Sequence, residues 1–211
     1  MSKVLSSKIC FIVTLIYIYI YVFLNISSMN HYSNKAFITS ENQLRLYLKH
    51  CKKCANLTNN GNFIFSHETF SNFKINAHKN NMCFIINNLD PNSNAETTGH
   101  WIVMMVHTSS KMVLLFDPRN HNFTSIDSNF KKSLDKFIKI NDIRHFKQFD
   151  LRTQQKYSRS CGIHCIYMIH FSHNNCKRSF IGLRRIFQHY SVGQREKFIV
   201  HNTLSRLFTN K

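Results

Sequence analysis

The residues best suited to chemistry in this chain are Cys161, His100, Asp117 and the adjacent glutamines Gln154 and Gln155. Cys161 stands where the polar run 152–160 (RTQQKYSRS) gives way to the nearly apolar CGIHCIYMIHF. A thiol at such a junction lies at the start of a buried helix. Unpaired backbone N–H groups and the positive end of the helix macrodipole there favour thiolate over thiol. A cysteine nucleophile also needs an imidazole to move protons, a group that fixes the tautomer of that imidazole, and donors for the developing oxyanion. His100, Asp117 and either Gln154 or Gln155 offer one candidate for each role; spacing alone does not choose between the glutamines. The plainer reading is that Cys161 is a small buried residue at a helix start and that His100, one of 13 histidines, is a packing or surface residue.

These residues need elements to hold them. Segment 161–171 is apolar nearly all round, as a central helix buried on every side should be. His100 and Asp117 bracket two apolar runs separated by His107-Thr-Ser-Ser110, a pattern that predicts a hairpin. Folding the strands about the centre of that loop sets His100 directly opposite Asp117, with Cβ atoms about 4.5–5.5 Å apart. Ile102, Met104, Val113 and Leu115 then share one face, and Trp101, Val103, Met105, Leu114 and Phe116 the other. Strands apolar on both faces belong in the middle of a sheet covered on both sides. No Asn-Gly turn pins the register, which rests on the loop alone.

The run 82–89 (MCFIINNL) predicts a further buried strand, followed by a polar loop over 90–98. Ser40-Glu-Asn-Gln43 reads as a capping box, with Leu44, Tyr47, Leu48 and Cys51 following at helical spacing, so a folded domain is expected over 39–211. Phe130, Leu134, Phe137 and Ile138 mark an amphipathic helix whose outer face carries Lys131, Lys132, Lys136 and Lys139. The tail, 177–211, holds eight Lys/Arg and one Glu and is expected to add helices with a basic exterior.

With 43% hydrophobic residues and 19 Phe among 211 residues, the chain can fill a core, which excludes a disordered protein. Lys and Arg number 28 against 10 acids, a formal charge of +18 that makes DNA or another polyanion the first partner to expect. Seven cysteines form an odd set, too sparse for a small disulfide scaffold, and are read as mostly reduced. Cys51-Lys-Lys-Cys54 could begin a zinc site, but no second CxxC follows. His164, Cys165, His170, His173 and Cys176 sit mostly inside an apolar helix, so no metal is expected. Residues 1–28 combine Lys3 and Lys8 with the uncharged run 10–24, the pattern of a secretory signal or short anchor, unless Met29 is the true start. A membrane partner or secretory route follows only if that leader is retained and functional.

The blocks CFIINN, GHWIVMMV, LLFDP and TQQKYSRSCGIHCIYMIHF, in this order and approximate spacing, resemble the adenovirus-type cysteine proteases, the adenains. The related SUMO-deconjugating proteases share the order His, Asp, Gln, Cys. The resemblance runs from about Thr39 to the C-terminus. It implies an α+β, papain-like or adenain-like fold: a central mixed sheet between helices, with the nucleophile at the N-terminus of a buried central helix. It further implies His100 as general base, Asp117 as its orienting acid, Cys161 as nucleophile and the family glutamine as oxyanion donor. Counting back from Cys161, Gln154 matches the adenain position and Gln155 the deconjugase position; Gln154 is preferred because Ser158 also falls where adenain has Ser.

By the same likeness the protein would be a monomeric viral or virus-derived endopeptidase of virion and host nucleus. It would cut capsid and core precursors with DNA as activating polyanion and no metal. The readings held beside this one are a ubiquitin-like deconjugase and a basic DNA-binding virion protein with an inactive protease fold. Adenain joins its activating peptide by a disulfide to a cysteine between acid and glutamine. This chain has no cysteine from 84 through 160, which leaves the identity of any peptide activator open.

Overall fold

The computed structural model describes residues 40–76, 78–87, 100–121, 128–156, 158–172 and 176–209. The leader, the loop at 90–98, Gly99 and His173 lie outside them. Among the described residues no helix is long and apolar enough to cross a membrane.

Helix α1 (Glu41–His50) begins at the expected capping box: Ser40 Oγ accepts the Gln43 N–H at 3.3 Å and Gln43 Oε1 accepts the Ser40 N–H at 2.9 Å. Leu44 and Leu48, one turn apart, are its buried residues. Cys51 takes extended backbone angles, ends α1 and caps α2 (Lys52–Thr58) with no intervening loop. Asn59 closes α2 in the left-handed conformation, and Gly61 follows at φ +81, where a Cβ would meet the Arg45 carbonyl oxygen at 3.0 Å. Only glycine fits that turn without strain.

Strand β1 (Ile64–Ser66) and the single turn α3 (His67–Phe70) lead to β2 (Asn81–Asn87). Strands β3 (Trp101–His107) and β4 (Met112–Phe116) form the hairpin, followed by helix α4 (Ser128–Ile140) and β5 (His145–Gln148). Helices α5 (Cys161–Phe171), α6 (Cys176–Phe187) and α7 (Val192–Thr209) complete the chain. The sheet order is β1-β2-β3-β4-β5, with β1 parallel to β2, β4 parallel to β5, and antiparallel pairing between. The fold is therefore α+β around a central mixed sheet.

Both faces of that sheet are dry. On one, Trp101, Val103, Met105, Leu114 and Phe116 pack against α1, α2, α5, α6 and α7; on the other, Ile102, Met104, Val113 and Leu115 pack against Phe70 of α3 and Phe130, Leu134 and Phe137 of α4. This is the partition that alternation predicts. The lysine face of α4 is exposed as expected.

One expectation needs correcting. Val103 faces Phe116 and Met104 faces Leu115, a register two residues away from that which sets His100 directly opposite Asp117. The loop is not 107–110: His107 pairs with Met112, and Lys111 turns the chain at φ 47. A non-glycine residue in the left-handed region is uncommon, and nothing in its type announces it. Because the shift is even, every side chain keeps its face.

Candidate active site

His100 immediately precedes β3 and Asp117 immediately follows β4, so the antiparallel pair delivers both to one end of the sheet. They meet diagonally rather than face to face: His100 Nε2 lies 2.5 Å from Asp117 Oδ1, with both side chains buried. For that contact to be a hydrogen bond, Nε2 must carry the proton. The tautomer then leaves Nδ1 as the basic nitrogen.

The carboxylate is held from several sides. Asp117 Oδ1 also accepts the Arg119 N–H at 2.8 Å, and Oδ2 accepts the His121 N–H at 3.0 Å and lies 2.8 Å from His121 Nδ1. A buried carboxylate is tolerated only when satisfied in this way. Burial pushes its pKa up, but the hydrogen bonds to His100 and His121 outweigh burial and hold Asp117 far below the usual carboxylate range.

Helix α5 packs against β3 and brings its first residue, Cys161, to the same end. The thiol is buried, and its ionisation is coupled to His100 and to the Trp101 backbone. Burial raises the Cys161 pKa; the His100 hydrogen bond and charge, the Trp101 N–H and the nearby Arg119 guanidinium overcome that and bring it below the ordinary thiol value. For His100 burial acts downward, yet the hydrogen bonds to Asp117 and Cys161 carry it from 6.5 up to about 9. Opposite shifts on coupled groups favour a thiolate–imidazolium pair.

The loop before Cys161 is fastened by side chains rather than by regular structure. Gln154 is fully buried and its Nε2 donates to the Ser158 carbonyl oxygen at 2.7 Å, whereas Gln155 is exposed and its amide lies against Gly193. Buried Glu196, from α7, accepts the Gln155 N–H at 3.0 Å and the Ser160 hydroxyl at 2.5 Å. Ser160 precedes α5 without capping it through its side chain. Thr153 Oγ1 lies 2.9 Å from Nδ1 of His164, an α5 histidine that burial keeps neutral, with a pKa of about 3.

Of the residues singled out in the sequence, His100, Asp117 and Cys161 therefore form one connected set. Gln154 packs in the loop leading to Cys161, and Gln155 points elsewhere. His121, Arg119 and Glu196 were missed. Only Glu196 left a signal, as the one acid in a tail of eight bases. His100, Asp117 and His121 place possible ligand atoms within 4.8 Å of one another, but a cation there would take the imidazole from its acid.

No family model matches the chain, and no curated protein matches it. Solved structures with a similar layout include the ASFV pS273R protease (TM-score 0.48, 13% identity, 80% of this chain and 68% of that one). ChlaDub1 from Chlamydia trachomatis is similar at TM-score 0.43 and 13% identity over 60% of this chain and 59% of that one. The SUMO protease Ulp1 is similar at TM-score 0.29 and 17% identity over 61% of this chain and 54% of that one. The chain thus spans 59% of the length of ChlaDub1 and 54% of Ulp1.

Proposed function

We propose that the protein is a cysteine peptidase in which Cys161 is the nucleophile, His100 the proton carrier, Asp117 its orienting acid and Gln154 an oxyanion donor. The observation that carries this reading is the buried His100–Asp117 contact of 2.5 Å at the end of the sheet where Cys161 opens α5, with the pKa values of His100 and Cys161 shifted in opposite directions by one another. The Cys161 thiolate attacks the scissile carbonyl carbon, and the oxyanion is met by the Cys161 backbone N–H and the Gln154 amide. As the C–N bond breaks, His100 gives its proton to the leaving amine. It then takes one from the water that releases the acyl group; sulfur leaves as thiolate, and the thiolate–imidazolium pair is restored.

In its finer form the reading is an adenain-like endopeptidase cutting capsid or core precursors, with DNA as activating polyanion, in virion and nucleus. The charge of +18 supports a polyanion partner. A second reading, a SUMO or ubiquitin-like deconjugase, is supported by the order His100, Asp117, Gln, Cys161, which the sequence resemblance shares with those proteases.

The test is labelling of the full chain by a vinyl-sulfone probe, with and without DNA. Cys161 should be labelled and Cys161→Ala should not; stimulation by DNA supports the adenain-like form. No labelling under either condition would favour an inactive fold that binds DNA. Cleavage of SUMO or ubiquitin adducts in preference to Gly-Xaa-Gly peptides would favour the deconjugase.

A further inference from the structure

Helix α5 meets a second group of thiols at its other end. Cys51 Sγ lies 3.3 Å from His170 Nδ1, and the possible ligand atoms of Cys51, Cys54 and His170 all lie within 4.8 Å of one another. His170 is 119 residues from Cys51, so the fold rather than local sequence brings them together. Cys51 joins α1 to α2 without a loop, which turns both thiols of the CxxC toward the last turn of α5. Cys54 is fully buried, while Cys51 and His170 are half-buried, so the open side of the set faces solvent. None of the three residues takes part in the site at Cys161. Along α5, Cys161 and His170 are about 14 Å apart at ~1.5 Å per residue.

We propose that Cys51, Cys54 and His170 bind a thiolate-seeking divalent cation of the zinc class, which clamps the α1–α2 corner to the C-terminal end of α5. Two sulfurs and an imidazole nitrogen suit zinc, cobalt or cadmium and not magnesium or calcium. With metal–sulfur and metal–nitrogen bonds of about 2.3 and 2.0 Å, neighbouring donors on a tetrahedron stand roughly 3.5 Å apart. The Cys51–His170 separation of 3.3 Å is already close to that edge. The fourth position, toward solvent, is left for water or an incoming donor.

The experiment titrates the reduced, chelator-treated full chain carrying Cys161→Ala, which removes the proposed nucleophile, with cobalt(II). A thiolate-to-cobalt charge-transfer band and intense tetrahedral d–d bands should saturate at one equivalent and be displaced by zinc. Both should vanish in Cys51→Ser/Cys54→Ser and weaken at least tenfold in His170→Ala. Zinc should raise the melting temperature of the Cys161→Ala chain and protect Cys51 and Cys54 from iodoacetamide, as read by peptide mapping. Mapping needs no further variant and decides the matter if the double serine variant fails to fold. Absence of the charge-transfer band, its survival in the double variant, or unchanged alkylation of Cys51 and Cys54 under saturating zinc would overturn the proposal.

Discussion

Helix α5 has a thiol–imidazole pair at each end, and the two are built differently. At its N-terminus Cys161 is coupled electrostatically to His100, whose Nε2 is held by a buried, fully engaged carboxylate. At its C-terminal end Cys51 touches His170, and the third member is another thiol, Cys54. The same two functional groups thus acquire different chemistry from their third partner. A carboxylate fixes the tautomer and stabilises imidazolium, which makes a proton carrier. A second sulfur adds a donor atom, which makes a ligand set.

The largest break in the comparison is at the N-terminal pair. Cys161→Ala should abolish peptidase activity, and Asp117→Asn, which leaves the imidazole in the wrong tautomer, should lower kcat by about 10⁴. Turnover of a peptide ester or amide by purified variants checks both. Gln154→Ala should cost about 10²–10³ in kcat, the usual loss for one oxyanion donor. Gln155→Ala should stay near wild type, since its side chain is exposed and turned toward Gly193.

The pH profile sharpens the same point. The His100 pKa is raised from 6.5 to about 9, so the stabilisation of its imidazolium is fully present below 6.5 and lost as pH rises through about 9. The Cys161 pKa is lowered from 9.0, so the stabilisation of its thiolate is present above that value and lost as pH falls through the lowered one. The ion pair persists between, and activity should fall on the alkaline side near pH 9 in a kcat/KM profile. An alkaline limb near 6.5 would mean that His100 is not held by Asp117.

Smaller effects belong to the supports. Glu196→Ala leaves the Gln155 N–H without its acceptor and the Ser160 hydroxyl with Ser158 Oγ as its remaining partner, a loss of about 1–3 kcal/mol. It should lower the melting temperature and kcat together. His121→Ala removes one partner of Asp117 from a side chain that is 43% exposed, and should lower kcat less than tenfold. His170→Ala, at the far end of α5, should leave the reactivity of Cys161 unchanged.

How much of this could be read beforehand differs by element. The Ser40–Gln43 capping box, the Phe130–Leu134–Phe137 stripe, the limits of α5 and the two faces of the hairpin were legible, because each depends on neighbours in sequence or on a period of two or 3.6. The hairpin register was not, because Lys111 adopts a left-handed turn that its side chain does not advertise. The hold of His121 and Arg119 on Asp117 depends on how the chain turns after β4. Glu196 acts across α7 on a loop 36 residues away at Ser160, and His170 meets Cys51 only through the packing of α5 on the α1–α2 corner. Contacts of that range carry no local signature.

The central claim is that Cys161 is a thiolate paired with His100. Its most direct measurement is the rate of iodoacetamide alkylation of Cys161, followed by peptide mass spectrometry from acid to alkaline pH in the wild-type chain and in His100→Ala. The account predicts a rate already on its plateau well below the ordinary thiol pKa of about 8.5, and return to an ordinary titration in the variant. A wild-type rate that rises with a midpoint near 8.5 and is indifferent to His100 would contradict it.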